Sequence, residues 1–179
     1  YASQAFLLMG VLYMLAVTGV ADAKAPISTP AWIAIPPEDY YAWEILFTIP
    51  VFVLGWILAA GLAQLLIRPF RGSGTFEATL AVLGFAVTVP MFVTWIVETF
   101  LAALMLIGAM KPGAWQDLTA RPGFWQGFAV GYQLVTLAWY LVLVPVAISV
   151  AHRIRWWQAI LVGALTVGIA GSVMLIFIR

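Results

Sequence analysis

An all-α polytopic bundle of five membrane-spanning helices is the fold class this sequence predicts. Hydrophobic residues make up 65% of the chain and charged residues only 8%. The apolar residues fall into long runs, and the breaks between runs collect the charges, prolines and glycines. Nine tryptophans and six tyrosines stand in 179 residues. Both side chains favour membrane interfaces, where the ring stays dry and its polar tip wet. A chain of this kind has too much apolar surface to bury in water as an ordinary globular domain. At roughly 20 apolar residues per span, its length suits five helices in one domain.

The first span covers residues 2–21. Ala2 to Val20 is an apolar run of signal-peptide length, and Ala21 and Ala23 around Asp22 resemble a cleavage site; we read the segment as a retained span. Residues 22–41 form a linker in which Pro26, Pro30, Pro36 and Pro37 forbid a continuous helix. Its Trp32, Ile33, Tyr40 and Tyr41 place it along the interface. The second span covers residues 42–67. Arg68 and the break Pro69-Phe70-Arg71-Gly72-Ser73-Gly74 follow. The third span covers residues 75–110, kinked at Pro90. Thr75 is its N-cap, and Glu77 in the first turn suits the helix dipole. The run is longer than a straight span needs, so its far end is expected to emerge as an interfacial helix. Residues 111–123 form a second linker. The fourth span covers residues 124–151, the tight turn of His152, Arg153 and Arg155 follows, and the fifth span covers residues 156–178.

Charge and composition exclude several functions. The formal net charge is +1 and the basic residues are scattered, so nucleic acid is not an expected partner. With no cysteine, disulfides, thiolate metal sites and cysteine nucleophiles are ruled out. A single histidine rules out bis-histidine haem ligation. Arg68, Arg71, Arg153 and Arg155 crowd two short loops on one side, whereas Lys24, Lys111 and Arg121 lie in longer loops diluted by acids. The positive-inside rule then puts the arginine loops and the N-terminus in the cytoplasm and the C-terminus outside.

Small residues recur at intervals of four in Gly55, Ala59 and Ala63, in Gly127 and Gly131, and in Ala164, Gly168 and Ser172. Such stripes let backbones approach closely. They are expected to pack the bundle internally; the other reading is a homodimer face. Pro50, Pro90 and Pro145 each stand inside a span and remove a backbone hydrogen bond. They are expected to shape the bundle, or alternatively to hinge a transporter.

Glu98 is the acidic residue that stands well inside an apolar run, and an ionisable group in a bilayer is a functional candidate by default. From Glu77 to Glu98 is about 31 Å of helix, which favours a structural place at the outer interface. A deep Glu98 would bind a proton or cation, or bond a polar side chain such as Gln133 or Gln64. Arg68, Arg71, His152, Arg153 and Arg155, beside Trp156 and Trp157, form a candidate edge for lipid headgroups or a partner. Gly72-Ser73-Gly74 lacks the Lys-Ser/Thr of a phosphate loop and is read as a tight turn. Adjacent Glu38 and Asp39 are read as solvated.

The stretch Arg68-Pro69-Phe70-Arg71-Gly72-Ser73-Gly74-Thr75-Phe76-Glu77, continued by Ala78 to Ala86 and Pro90, resembles the core of the Yip family of membrane proteins (Ypt/Rab-interacting proteins). The shared pattern is a span, a basic Gly-x-Gly turn, an aromatic residue, then a helix with small residues and a proline. Residues 40–178 resemble the family's domain, and the first span fits its five-span plan. Eukaryotic members work in vesicle trafficking and bind Rab-type GTPases through long cytosolic N-termini. This chain resembles the prokaryotic type, which implies an inner-membrane location. The resemblance implies no catalytic residue, metal or cofactor, and a structural role for Gly72, Gly74, Phe76 and Pro90. The expected function is therefore a non-enzymatic scaffold or accessory protein that binds membrane lipids, a protein partner or a second copy. The alternatives are a small transporter or channel using Glu98, and a membrane subunit of a redox complex with a quinone or pigment pocket lined by Trp and Tyr.

Overall fold

The computed structural model describes residues 2–22, 32–111 and 113–178. Expectations at Ala23, Lys24, Pro26 and Pro30 lie outside them. The described residues form six α-helices: α1 (Ala2–Asp22), α2 (Tyr40–Ile67), α3 (Phe76–Leu106), α4 (Ala114–Ala120), α5 (Phe124–His152) and α6 (Trp156–Met174). All but α4 are long and apolar enough to cross a membrane. Leu54, Ile96, Leu141 and Ile160 are among many large apolar side chains that face outward. That is the surface a lipid-solvated bundle needs.

The long helices pack in a ring, α1 on α3, α3 on α5, α5 on α6, α6 on α2 and α2 on α1, with α2 also touching α3. The turn after α2 and the turn after α5 lie at one end of the bundle, here called the arginine end; the C-terminal end of α1, the start of α2 and the segment with α4 lie at the other. Two apolar cores stabilise the ring. Ala60, Ile67, Leu83, Ile148 and Val162 join α2, α3, α5 and α6. Phe6, Met9, Phe52 and Trp95 join α1 to α2 and α3. Between α2 and α3 the Trp56 indole donates to the Leu80 carbonyl at 2.8 Å, over Gly84, whose missing side chain makes room for the ring.

Helix ends follow local chemistry. The Thr75 hydroxyl accepts from the Ala78 amide at 3.2 Å, as an N-cap does. The third helix stops at Leu106, short of Met110, because Gly108 adopts the left-handed conformation at φ 73°. The amides of Gly108 and Met110 then donate to Met105 and Leu104 and close the end. The last helix gives way to turns after Met174 rather than continuing to Ile178. The second linker is not irregular throughout: α4 lays Trp115 against Trp125 and Phe128.

Pro50, Pro90 and Pro145 lie inside α2, α3 and α5, each of which continues past its proline. Two residues before the first two, Thr48 and Thr88 donate to the carbonyls of Glu44 and Gly84, a back-bond that bends helices. Pro145 packs instead against Gly163 of α6.

The stripe Gly55, Ala59 and Ala63 packs internally, with Met174 of α6 seated on Gly55. The other two stripes do not. Gly127, Gly131 and Gly168 have open space where a side chain would be, and Ala164 and Ser172 are exposed. Their spacing is right for packing, but Gly163 and Ala159 on the neighbouring face of α6 take the contact with the bundle. α1 comes close to α3 at Gly19, where an added Cβ would stand 2.7 Å from the Cβ of Ala102 and 3.0 Å from its carbonyl oxygen. We expect Gly19→Ala to cost about 1–2 kcal/mol in a reversible unfolding titration. Gly61→Ala, which meets nothing, should instead stabilise by up to about 1 kcal/mol.

Candidate functional site: a latched arginine face

Two turns meet at the arginine end. The first runs from Ile67 to Thr75, and the left-handed Arg71 reverses the chain there at φ 56°. The second is the turn after α5, where Arg153 does the same at φ 55°. The Ser73 amide donates to the His152 carbonyl at 3.2 Å, so the turns are joined through their backbones. Gly74 permits the contact, since a Cβ there would run into the carbonyl oxygen of Ala151 and stand 2.8 Å from His152 Nδ1.

Below the joint lies a buried polar relay. Thr79 Oγ1 is 2.7 Å from His152 Nε2 and 3.0 Å from Gln64 Oε1. The hydroxyl has one hydrogen, which the Thr75 carbonyl at 2.8 Å and Gln64 Oε1 share as acceptors, so the Nε2–H of His152 supplies the remaining bond. Gln64 then uses its amide nitrogen to donate to the Gly74 carbonyl at 3.0 Å. One relay thus ties α5, α3, α2 and the first turn together. Each bond polarises the next in a site closed to water.

The outer surface of this joint carries charge. Arg68, Arg71, Arg153 and Arg155 are all exposed. Trp156 and Trp157 are half-exposed beside them, and Phe70 meets Trp157 edge to face at 5.9 Å. The sequence reading placed His152 on the same edge as a contact residue. His152 is 1% exposed and cannot reach a headgroup itself. Its ring turns inward, where Nε2 meets the Thr79 hydroxyl.

Gln64, named as one partner for a deep Glu98, does not reach it. Gln64 lies at the end of α2, whereas Glu98 is about 33 Å of helix from the start of α3. The two sit at opposite ends of antiparallel neighbours. Glu98 faces α5, where the Tyr132 hydroxyl donates to it at 2.5 Å. Gln133, the other expected partner, is one residue round the helix and is exposed. One turn deeper, Thr94 and Thr136 bond each other at 2.9 Å. Glu98 therefore holds α3 to α5 near the linker end.

A second carboxylate went unnoticed in the sequence. Glu44 is fully buried in the second turn of α2, and the Tyr13 hydroxyl of α1 donates to it. The signal was available: Tyr13 is a lone hydroxyl-bearing ring inside the first span. Glu44 stood two residues from the expected start of span two and passed for linker, but the helix begins at Tyr40.

Between the helices lies a cavity of about 630 Å³, lined mainly by aliphatic and aromatic side chains of α1, α2, α3, α5 and α6. Among the described residues no group of three or more His, Asp and Glu side chains is placed to hold a metal ion.

The Yip1 domain family model matches residues 2–178, so the matched range takes in α1 as well as the segment from residue 40. No curated protein and no solved structure matches the chain.

Proposed function

The chain belongs to the Yip1 domain family, and from that premise we propose that it is a non-enzymatic accessory protein of the membrane whose arginine face binds anionic lipid headgroups. The observation that carries this reading is the backbone bond from Ser73 to His152, which makes one surface of two turns. Four exposed arginines on that surface supply the charge. Guanidinium groups suit phosphate because their fork of donors matches its oxygens. Trp156 and Trp157 set the surface at headgroup level. On this reading the face lies in the cytoplasm, on the side the positive-inside rule favours, and the membrane is a prokaryotic inner membrane.

The test is native mass spectrometry of the full chain released from nanodiscs that contain phosphatidylglycerol and phosphatidylcholine. At about 1 kcal/mol for each basic residue near the surface, replacing all four arginines by glutamine should lower retention of phosphatidylglycerol on the order of 100-fold or more. Phosphatidylcholine retention should not change. Equal phosphatidylglycerol retention by both proteins would reject the reading. Glu98 invites a transporter reading, but its bond to Tyr132 accounts for it as a contact between helices.

A further inference from the structure

We propose that the interhelical cavity holds one hydrocarbon chain of a membrane lipid, which enters from the side between α5 and α6. The inference is independent of the arginine face and concerns the middle and far half of the bundle.

The path of the two helices makes the opening. Near the arginine end α6 presses its Gly163 backbone on Pro145 and Val144 of α5. Further along they follow different neighbours. α5 is tied to α3 by Thr136 with Thr94 and by Tyr132 with Glu98. α6 is tied to α2, where Met174 sits on Gly55 and Tyr40 donates to the Phe177 carbonyl at 3.0 Å. The cavity occupies the divergence. Gln133 and Leu137 of α5 and Leu175 of α6 line it and are exposed, so they mark its rim.

Size and chemistry then select the occupant. A volume near 630 Å³ lies within the roughly 300–1,000 Å³ of small-molecule pockets. Protein interiors pack densely, and a space this large inside a bundle does not stay empty. Its inner walls are Phe6, Phe52, Ala59, Leu83 and Val144, which offer water no partners. The solvent outside these spans is lipid hydrocarbon. Polar groups are few: Thr94, Trp95, Gln133 and Thr136 line the space on the linker side, and Tyr140 and Thr166 line it nearer the arginine end. A lipid chain matches this wall: it enters past Gln133, Leu137 and Leu175 and runs inward along Phe52, Leu83 and Val144.

The experiment uses the full chain in bilayers of phosphatidylcholine that carries a diazirine in mid-chain. After photolysis, labelled peptides are mapped by mass spectrometry. Labelling of Leu83, Val144 or Ala170, which line the cavity or its core, is expected. Labels confined to the outward Leu54, Leu141 and Ile160 would overturn the proposal. Gly171 lines the cavity and has nothing within 4 Å of an added Cβ. Gly171→Phe should therefore fill the space and cut cavity labelling at least tenfold, while Gly168→Phe on the outward face leaves it unchanged. Unchanged labelling in Gly171→Phe would overturn the proposal, and Gly171→Leu gives the same reading should the larger ring prevent folding. Recovery of a stoichiometric quinone or pigment in place of lipid would also overturn it.

Discussion

His152→Ala is expected to destabilise the bundle by about 2–4 kcal/mol, the largest loss from any single side chain at the arginine end. Three costs add. The imidazole is buried, so its removal leaves a void between α5 and the first turn. Thr79 loses its bond from Nε2, and it stands in a closed site where water does not replace the donor. Gln64 and the Gly74 carbonyl then lose the polarising end of the relay. Gly74→Ala attacks the same joint from the other side, since its methyl group meets the Ala151 carbonyl oxygen, which is backbone and cannot swing away. Gly131→Ala is the matching control, for its methyl group meets nothing. Equilibrium unfolding in mixed micelles, followed by tryptophan emission, orders the three variants. A His152→Ala protein as stable as the unmodified chain would show that the relay holds nothing together.

Tyr13→Phe should cost about 1–3 kcal/mol, because the phenol donates to a fully buried carboxyl group. Its aromatic contacts stay: the Phe ring can still pack on Phe52 and Trp95, which lie 5.2 and 4.3 Å from the Tyr13 ring centre. The change therefore isolates the hydroxyl. Glu44 has no exposure, so water cannot take the donor's place. Thr18→Val, in the same helix, removes an exposed hydroxyl bonded only to its own backbone at Met14 and should be neutral within about 0.5 kcal/mol. The two variants, compared in the same unfolding titration, separate a bond between α1 and α2 from a loss of polarity in general.

The number and order of the spans were legible because membrane spans write long runs of one kind of residue, whereas α4 inside the second linker was not. The chain also showed the arginine loops to share an end, since an even number of spans separates them. Their direct contact was not legible. It rests on the Ser73 amide and the His152 carbonyl, which every residue possesses and no side-chain pattern announces. His152 was noticed for its neighbours in sequence, the arginines, while its bonding partners Thr79 and Ser73 are distant along the chain. Glu98 stood out because apolar residues surround it on both sides. Glu44 did not, because prolines and acids of the linker precede it closely. Depth along antiparallel helices would have separated Gln64 from Glu98. The outward small-residue stripes show the reverse problem: spacing gives a flat face, but only packing decides which way that face turns.

The joining of the two turns into one surface is the claim on which the functional reading rests. The chain has no cysteine, so spin labels on Ser73→Cys and Trp156→Cys report the distance across the joint without background. In bilayers, a single narrow distance distribution that broadens when His152→Ala is added is the result expected. A broad distribution in the background that keeps His152 would mean that the turns move independently and that the four arginines do not form one face.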